Sequence, residues 1–297
     1  MREEARADWA RSLSGRRVGV VLSSGFFGFY AHAGFLKAIE ELGVAPAALA
    51  GSSAGALVAG LRAAGLAPRE IERRLLALRR EDFWESRRWL RLAAALLKGG
   101  AGWSGYLEGK AFRRLLAREL PVESFEECPL PLYVPSTNIT AGRRHLFSSG
   151  SLLDALHASC AYPFLFSAAR IDGQDHLDGG VVDKAPLEEL VLEERVEVLL
   201  VNYIPSSPRT GNGWLARPLA TLGALRRALD VVRAEHADWK IRWAEARGCR
   251  CYVFCPRLPP MGPGRMDRGA EAVEAGYRET LAIIEAGSFR RPAAPRG

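Results

Sequence analysis

Histidine is scarce in this chain. Five occur in 297 residues, at His32, His145, His157, His176 and His236, so chemistry that needs an imidazole base has few choices. Long apolar runs are absent. No stretch of 18 uncharged apolar residues occurs, and no transmembrane helix is expected. The N-terminal MREEARADWARSLSGRR is charged throughout and lacks the apolar centre of a secretory leader, so a cytoplasmic location is expected. Cysteine is limited to five, an odd number without a secretory signal, which argues against a disulfide framework. Cys249, Cys251 and Cys255 in GCRCYVFCP invite a metal reading. With Val253, however, they form one face of an alternating strand. No fourth ligand is in view and the spacing is not a zinc pattern, so no metal is expected. Zinc-finger spacings and long basic runs are also missing, and nucleic acid is not an expected partner. The formal charge of +7, mostly arginine, leaves an anionic membrane surface open as a peripheral contact.

What is present is globular: 48% hydrophobic and 25% charged residues, enough for a sizeable core. VGVVL (18–22) reads as a buried strand, followed by the turn SSGFFG and the helical pattern AHAGFLKAIEELG with Gly43 as its cap. PAALA (46–50) reads as a second strand, then AGSSAGA turns into the helix ALVAGLRAAG. Strand, helix, strand, helix within 65 residues predicts an α/β fold with a parallel sheet. PREIERRLLALRR reads as an amphipathic helix. The region 83–110, which mixes Trp, Leu and Arg and then loosens into glycine, suits either a helix packed on the core or a lid that touches membrane. PLYVPSTNIT and RRHLFSS read as strands, SLLDALHASCAY as a helix, and ARIDGQDHLDGG as a hairpin turning at Asp172-Gly173. VEVLLVNYI, a long basic helical stretch over 213–247, CYVFCP and a last helix EAVEAGYRETLAIIEAG complete the chain. No repeat or linker divides it. One domain over 18–289 is expected, with an N-terminal extension (1–17) and a disordered tail (290–297).

The frame Gly51-x-Ser53-x-Gly55 is a nucleophile-elbow pattern, set between a predicted strand and a predicted helix. A sharp turn there holds the serine hydroxyl out of the sheet, and flanking glycines let backbone pass closely. The helix N-terminus adds N–H groups and positive dipole. Ser52 lies off the frame and reads as a spacer. The serine needs a base. A Ser-His-Asp triad would draw on His236 or His157, although none of the five histidines follows a strand in an obvious loop. The other candidate is Asp178 in HLDGG, where Gly179 and Gly180 would let the loop approach the elbow. The bland reading of Asp-Gly-Gly is a tight turn, and spacing alone leaves the two even. Asp172, Asp175 and Asp183 are neighbours without paired glycines. The turn after the first strand offers an oxyanion hole through backbone N–H groups near Gly25 and Gly28. A dinucleotide site is disfavoured because Ser23 stands where the first glycine of G-x-G-x-x-G belongs.

Taken in order, SSGFFGFYAHAGFLKAIEELG, AGSSAGALVAG and DHLDGGVVDKAPL resemble the patatin-like phospholipases, with STNITAGRRHLFSSG and LHASCAYPFLFSAARIDGQ also similar. The resemblance spans roughly residues 18–190. It implies a three-layer α/β/α fold with a mostly parallel central sheet. It implies a serine acyl hydrolase acting on lipid esters through an acyl-enzyme, with a Ser-Asp dyad and no cofactor. Carried over residue by residue, Ser53 is the nucleophile, Asp178 the base, and Gly25, Phe26 and Gly28 the oxyanion residues, with Gly51, Gly55, Gly179 and Gly180 supporting the motifs. The departure is in the loop, where the family shows more glycines and an Arg or Lys. Here Ser24 and Phe26 occupy glycine-like places, and Phe26 and Phe27 offer themselves as the wall of an acyl-chain site. The degenerate loop also keeps open a non-catalytic, lipid-binding member of the family.

Overall fold

The computed structural model describes residues 2–84, 105–205 and 220–292. The chain begins with α1 (Arg2–Leu13), β1 (Val18–Leu22), α2 (Phe29–Glu41), β2 (Ala48–Gly51), α3 (Ala54–Ala63) and α4 (Pro68–Ala77). A short β3 (Gly105–Leu107) and α5 (Lys110–Glu119) lead to β4 (Leu132–Asn138), β5 (Arg143–Phe147), α6 (Leu152–Ser159) and β6 (Phe164–Phe166). The hairpin β7 (Ala169–Ile171) and β8 (Gln174–Leu177) runs into two brief helices, α7 (Gly179–Val182) and α8 (Glu188–Leu192). β9 (Val198–Asn202), α9 (Ala220–Glu245), β10 (Arg250–Phe254) and α10 (Gly269–Ala286) follow.

The central sheet has the order β10-β9-β1-β2-β4-β8-β7. From β10 to β4 every pairing is parallel, while β5 and β8 join β4 antiparallel. The fold is therefore α/β with a mostly parallel sheet. All residues of β1 and β9 are buried, because helices cover both faces. Alternate side chains feed two cores. Val20, Leu22, Leu49 and Leu200 pack with Phe35, Ile39 and Val58 of α2 and α3. Val21, Ala50, Leu199 and Val201 pack with Leu190 of α8 and Ile241 of α9. This is the helix–sheet–helix layering. The loops after β1, β2 and β9 gather at the carboxyl edge of the parallel strands. There β9 and β2 flank β1 on opposite sides, the place where open α/β sheets bind ligands.

Small residues set the closest helix contact. A Cβ on Gly34 of α2 would lie 2.1 Å from the Val273 carbonyl, and one on Gly276 of α10 would lie 2.4 Å from that of Ala31. The N-terminal segment is folded onto the body. Trp9 of α1 is buried and meets Tyr252 and Phe254 edge-on at 5.8 and 6.2 Å, and Arg6 pairs with Glu285. In the tail, the Arg290 N–H donates to the Val253 carbonyl and Arg291 pairs with Glu245, while 293–297 lie outside the described residues. Most of the 83–110 region, read as a packed helix or a lid, also lies outside them, and its described end forms β3 and the start of α5. No helix among the described residues is long and apolar enough to cross a membrane.

Candidate active site

Ser53 sits between β2 and α3 with φ 54° and ψ −119°. A non-glycine residue pays about 1–3 kcal/mol for such a backbone, so the surroundings must hold it. Two consecutive residues at the end of α6 do so. The Ser53 N–H donates to Ser159 Oγ at 3.0 Å, and Cys160 Sγ donates to the Ser53 carbonyl at 3.2 Å. The glycines of the frame serve close approach rather than left-handed backbone, since neither has positive φ. A Cβ on Gly55 would lie 2.0 Å from the Leu22 carbonyl, and one on Gly51 would lie 2.4 Å from that of Gly55. Ser52 is buried, and its hydroxyl takes no partner among the described residues.

Asp178 follows β8 and is 2% exposed. Its N–H donates to the Ala161 carbonyl at 2.9 Å, and Thr137 Oγ1 donates to its own carbonyl at 2.8 Å. The segment 159–161 thus touches both Ser53 and Asp178. Ser53 Oγ donates to Asp178 Oδ2 at 2.5 Å, and the Gly180 N–H donates to Oδ1 at 2.7 Å. Gly179 and Gly180 make the approach feasible. Their added Cβ atoms would lie 2.2 Å from the Pro135 carbonyl and 2.2 Å from Ser24 Oγ. Burial raises the carboxyl pKa to about 6. The bonds from Ser53 and Gly180 and the positive charges of Arg233 and Lys184 oppose that rise. The competing aspartates are committed elsewhere. Asp172 forms the hairpin turn at φ 48°, Asp175 faces Arg170, and Asp183 is buried against Lys240 and Arg144.

The loop after β1 carries no basic residue, yet it is firmly tied. The Ser23 N–H donates to the Asn202 carbonyl at 3.1 Å, and the Ser24 N–H to that of Lys184 at 2.9 Å. Ser23 Oγ accepts from the Ile204 N–H at 2.7 Å. His32 Nε2 donates to the Ser23 carbonyl at 2.8 Å, while the Asn202 amide donates to His32 Nδ1 at 3.0 Å. Burial lowers the His32 pKa to about 4, which keeps the ring neutral in this role. Gly28 corrects the sequence reading. Its N–H donates to the Gly25 carbonyl at 2.8 Å and closes the turn, so it is not a free donor. The N–H groups of Gly25, Phe26 and Phe27 take no acceptor among the described residues. Phe27 has φ 57°, the second left-handed non-glycine beside the site.

Beside the pair lies a cleft with a cavity volume of about 130 Å³. Phe26, Phe27, Leu57, Phe83, Leu115 and Phe166 make it largely apolar, and Cys160, Asp230 and Arg233 add polar groups. No histidine lines it among the described residues. His157 points at Gly109 and the Phe112 ring, and exposed His236 stacks with Trp239. His145 and His176 face each other across the β4–β5–β8 sheet. Sequence reasoning missed the supports His32, Asn202, Ser159 and Cys160, and the cleft residue Arg233. Asn202 alone left a signal, as a polar residue ending the apolar run VEVLLVN.

A family model described as patatin-like phospholipase matches residues 20–191. Among curated proteins, an uncharacterized NTE family protein of Mycobacterium tuberculosis is 30% identical over 179 residues, covering 60% of this chain and 46% of that protein. A lysophospholipase of Emericella nidulans is 32% identical over 176 residues, covering 59% of this chain and 11% of that protein. The chain therefore spans less than half the length of either relative. Among solved structures, VipD from Legionella pneumophila matches with a TM-score of 0.49 and 16% identity, covering 91% of this chain and 67% of that one. The matched family span takes in the β1 loop, the elbow and the Asp178 turn, and it ends before Asn202 and Arg233. With more than half of its length inside that span, the chain belongs to the patatin-like phospholipase family.

Proposed function

We propose that the protein is a serine acyl hydrolase that cleaves carboxylic ester bonds of lipids, with Ser53 as nucleophile and Asp178 as base. The observation that carries this reading is the 2.5 Å hydrogen bond from Ser53 Oγ to a buried carboxylate at the floor of an apolar cleft. The carboxylate takes the hydroxyl proton as Oγ attacks the ester carbonyl. The negative charge that develops on the carbonyl oxygen faces the unpaired N–H groups of Gly25 and Phe26. Collapse breaks the ester bond, and the proton held by Asp178 passes to the departing alkoxide. Water then attacks the acyl-serine. It gives its proton to the carboxylate and releases the fatty acid, which restores the Ser53 hydroxyl. No metal or organic cofactor takes part in these steps. The apolar cleft walls suit an acyl chain, with Phe26 and Phe27 among them.

We also propose peripheral contact with anionic lipid surfaces. The net charge of +7 supports it, as do Phe26, 48% exposed beside the nucleophile, and Phe164, 64% exposed near the cleft segment 165–166. The test of the catalytic reading is hydrolysis of short- and long-chain esters, lysophospholipids and phospholipids by wild-type protein and Ser53→Ala. Release of fatty acid by the wild type and none by the variant is expected. An inert wild-type protein across the whole panel would favour a lipid-binding role instead.

A further inference from the structure

The cleft holds one feature that ester hydrolysis does not require. Arg233, on α9, lines it together with Ser53 and Asp178. Its side chain is 14% exposed, so most of it has left bulk water. Its ion pair is weak. Nη1 stands 3.5 Å from Asp230 Oδ1 one turn earlier, at the limit of a hydrogen bond. Its Nε is buried and has no acceptor among the described residues. A desolvated guanidinium with an unused donor is costly unless an anion completes it. Its planar fork suits a carboxylate or a phosphate. Its charge opposes the rise that burial gives the Asp178 pKa, across the cleft that both residues line. The β1 loop, Ser23 to Phe29, which also lines the cleft, carries no cation.

We infer that Arg233 determines substrate class by binding the phosphate of a phospholipid or lysophospholipid headgroup while its acyl ester lies over Ser53. This rests on the lipid acyl hydrolase reading proposed above. In glycerophospholipids the phosphate and the ester share one short glycerol unit, so one molecule in the cleft would offer its phosphate to Arg233 and its ester to Ser53. Arg233 lies outside the span that the family model matches.

The test is equilibrium binding in a Ser53→Ala background, where no turnover is needed. The ligands are a lysophosphatidylcholine and a monoacylglycerol of the same acyl chain, both below their aggregation concentrations. The expected result is a preference for the phosphate-bearing ligand that falls about 10- to 100-fold in Arg233→Gln, as loss of a charge-assisted bond implies. Arg233→Lys should keep part of it. An unchanged ratio in Arg233→Gln, or no preference in the Ser53→Ala parent, overturns the inference. Turnover is measured separately with Ser53 intact. A protein that binds with this preference but does not hydrolyse contradicts the catalytic reading alone.

Discussion

Ser53 donates its hydrogen bond to a carboxylate, and the consequences are visible at the scale of single residues. A carboxylate in water is too weak a base for an alkoxide, but burial brings the Asp178 pKa to about 6. Asp178 must be ionised to accept the proton, so activity should rise with pH through about 6 and level off above it. A kcat/KM profile with its acid limb there is expected. A limb near 4 would mean a carboxylate that water still solvates. The same shift predicts a cost in stability. A carboxyl whose folded pKa is raised favours folding at low pH, and that contribution is lost as pH climbs through about 6. At pH 8 the buried charge costs the fold up to about 3 kcal/mol. Asp178→Asn should therefore abolish ester hydrolysis while its melting temperature at pH 8 equals or exceeds that of the wild type. Gly55 is the counterpart. With a Cβ only 2.0 Å from the Leu22 carbonyl, Gly55→Ala should lose about 3 kcal/mol or more in urea unfolding, the upper range of overpacking.

At the scale of elements, the site is a meeting of four segments: the β1 loop, the elbow before α3, the end of α6 and the turn before α7. α7 is short, and the charges beyond it hold it in place. Asp183 at its end is 1% exposed and bonds Arg144 at 2.6 Å and Lys240 at 2.7 Å, while Lys240 also reaches Glu188 at 2.5 Å. Removing one member strands the others away from water. Lys240→Ala should cost about 3–5 kcal/mol by denaturant titration, and Arg144 should limit the loss to the lower end. Much of this level was legible in the sequence. The β1–α2–β2–α3 alternation, the Asp172-Gly173 hairpin, β9, β10 and α10 all follow from period and turn chemistry, because each is decided by neighbours in the chain. β3, β6 and α5 were not foreseen. β3 and β6 are three residues each and exist only by pairing across more than fifty residues, so no local pattern announces them. α1 left only Trp9 as a sign that its charged sequence has a buried face.

At the scale of the molecule, the two motif ends were legible for a physical reason. Close approach demands glycine, and glycine at Gly51, Gly55, Gly179 and Gly180 is a trace that a sequence keeps. The supports are different. His32, Asn202, Ser159 and Cys160 are ordinary residues whose value lies in convergence from three distant segments, and Gly28 was misread because its N–H closes a turn that only the backbone path reveals. The same scale carries the surface prediction. With a net charge of +7 and exposed Phe26 and Phe164 at and near the cleft, sedimentation with anionic vesicles should exceed that with neutral ones and weaken as salt rises. Equal binding to both at low salt would remove charge from the account.

The central claim is that Asp178 activates Ser53 as a nucleophile without histidine. Reaction with a fluorophosphonate probe followed by peptide mapping tests it most directly. The account predicts one adduct, on Ser53, formed by the wild type and by variants at His157 and His236 alike, and lost in Asp178→Asn. Labelling of Ser53 that survives Asp178→Asn but disappears with a histidine substitution would contradict it.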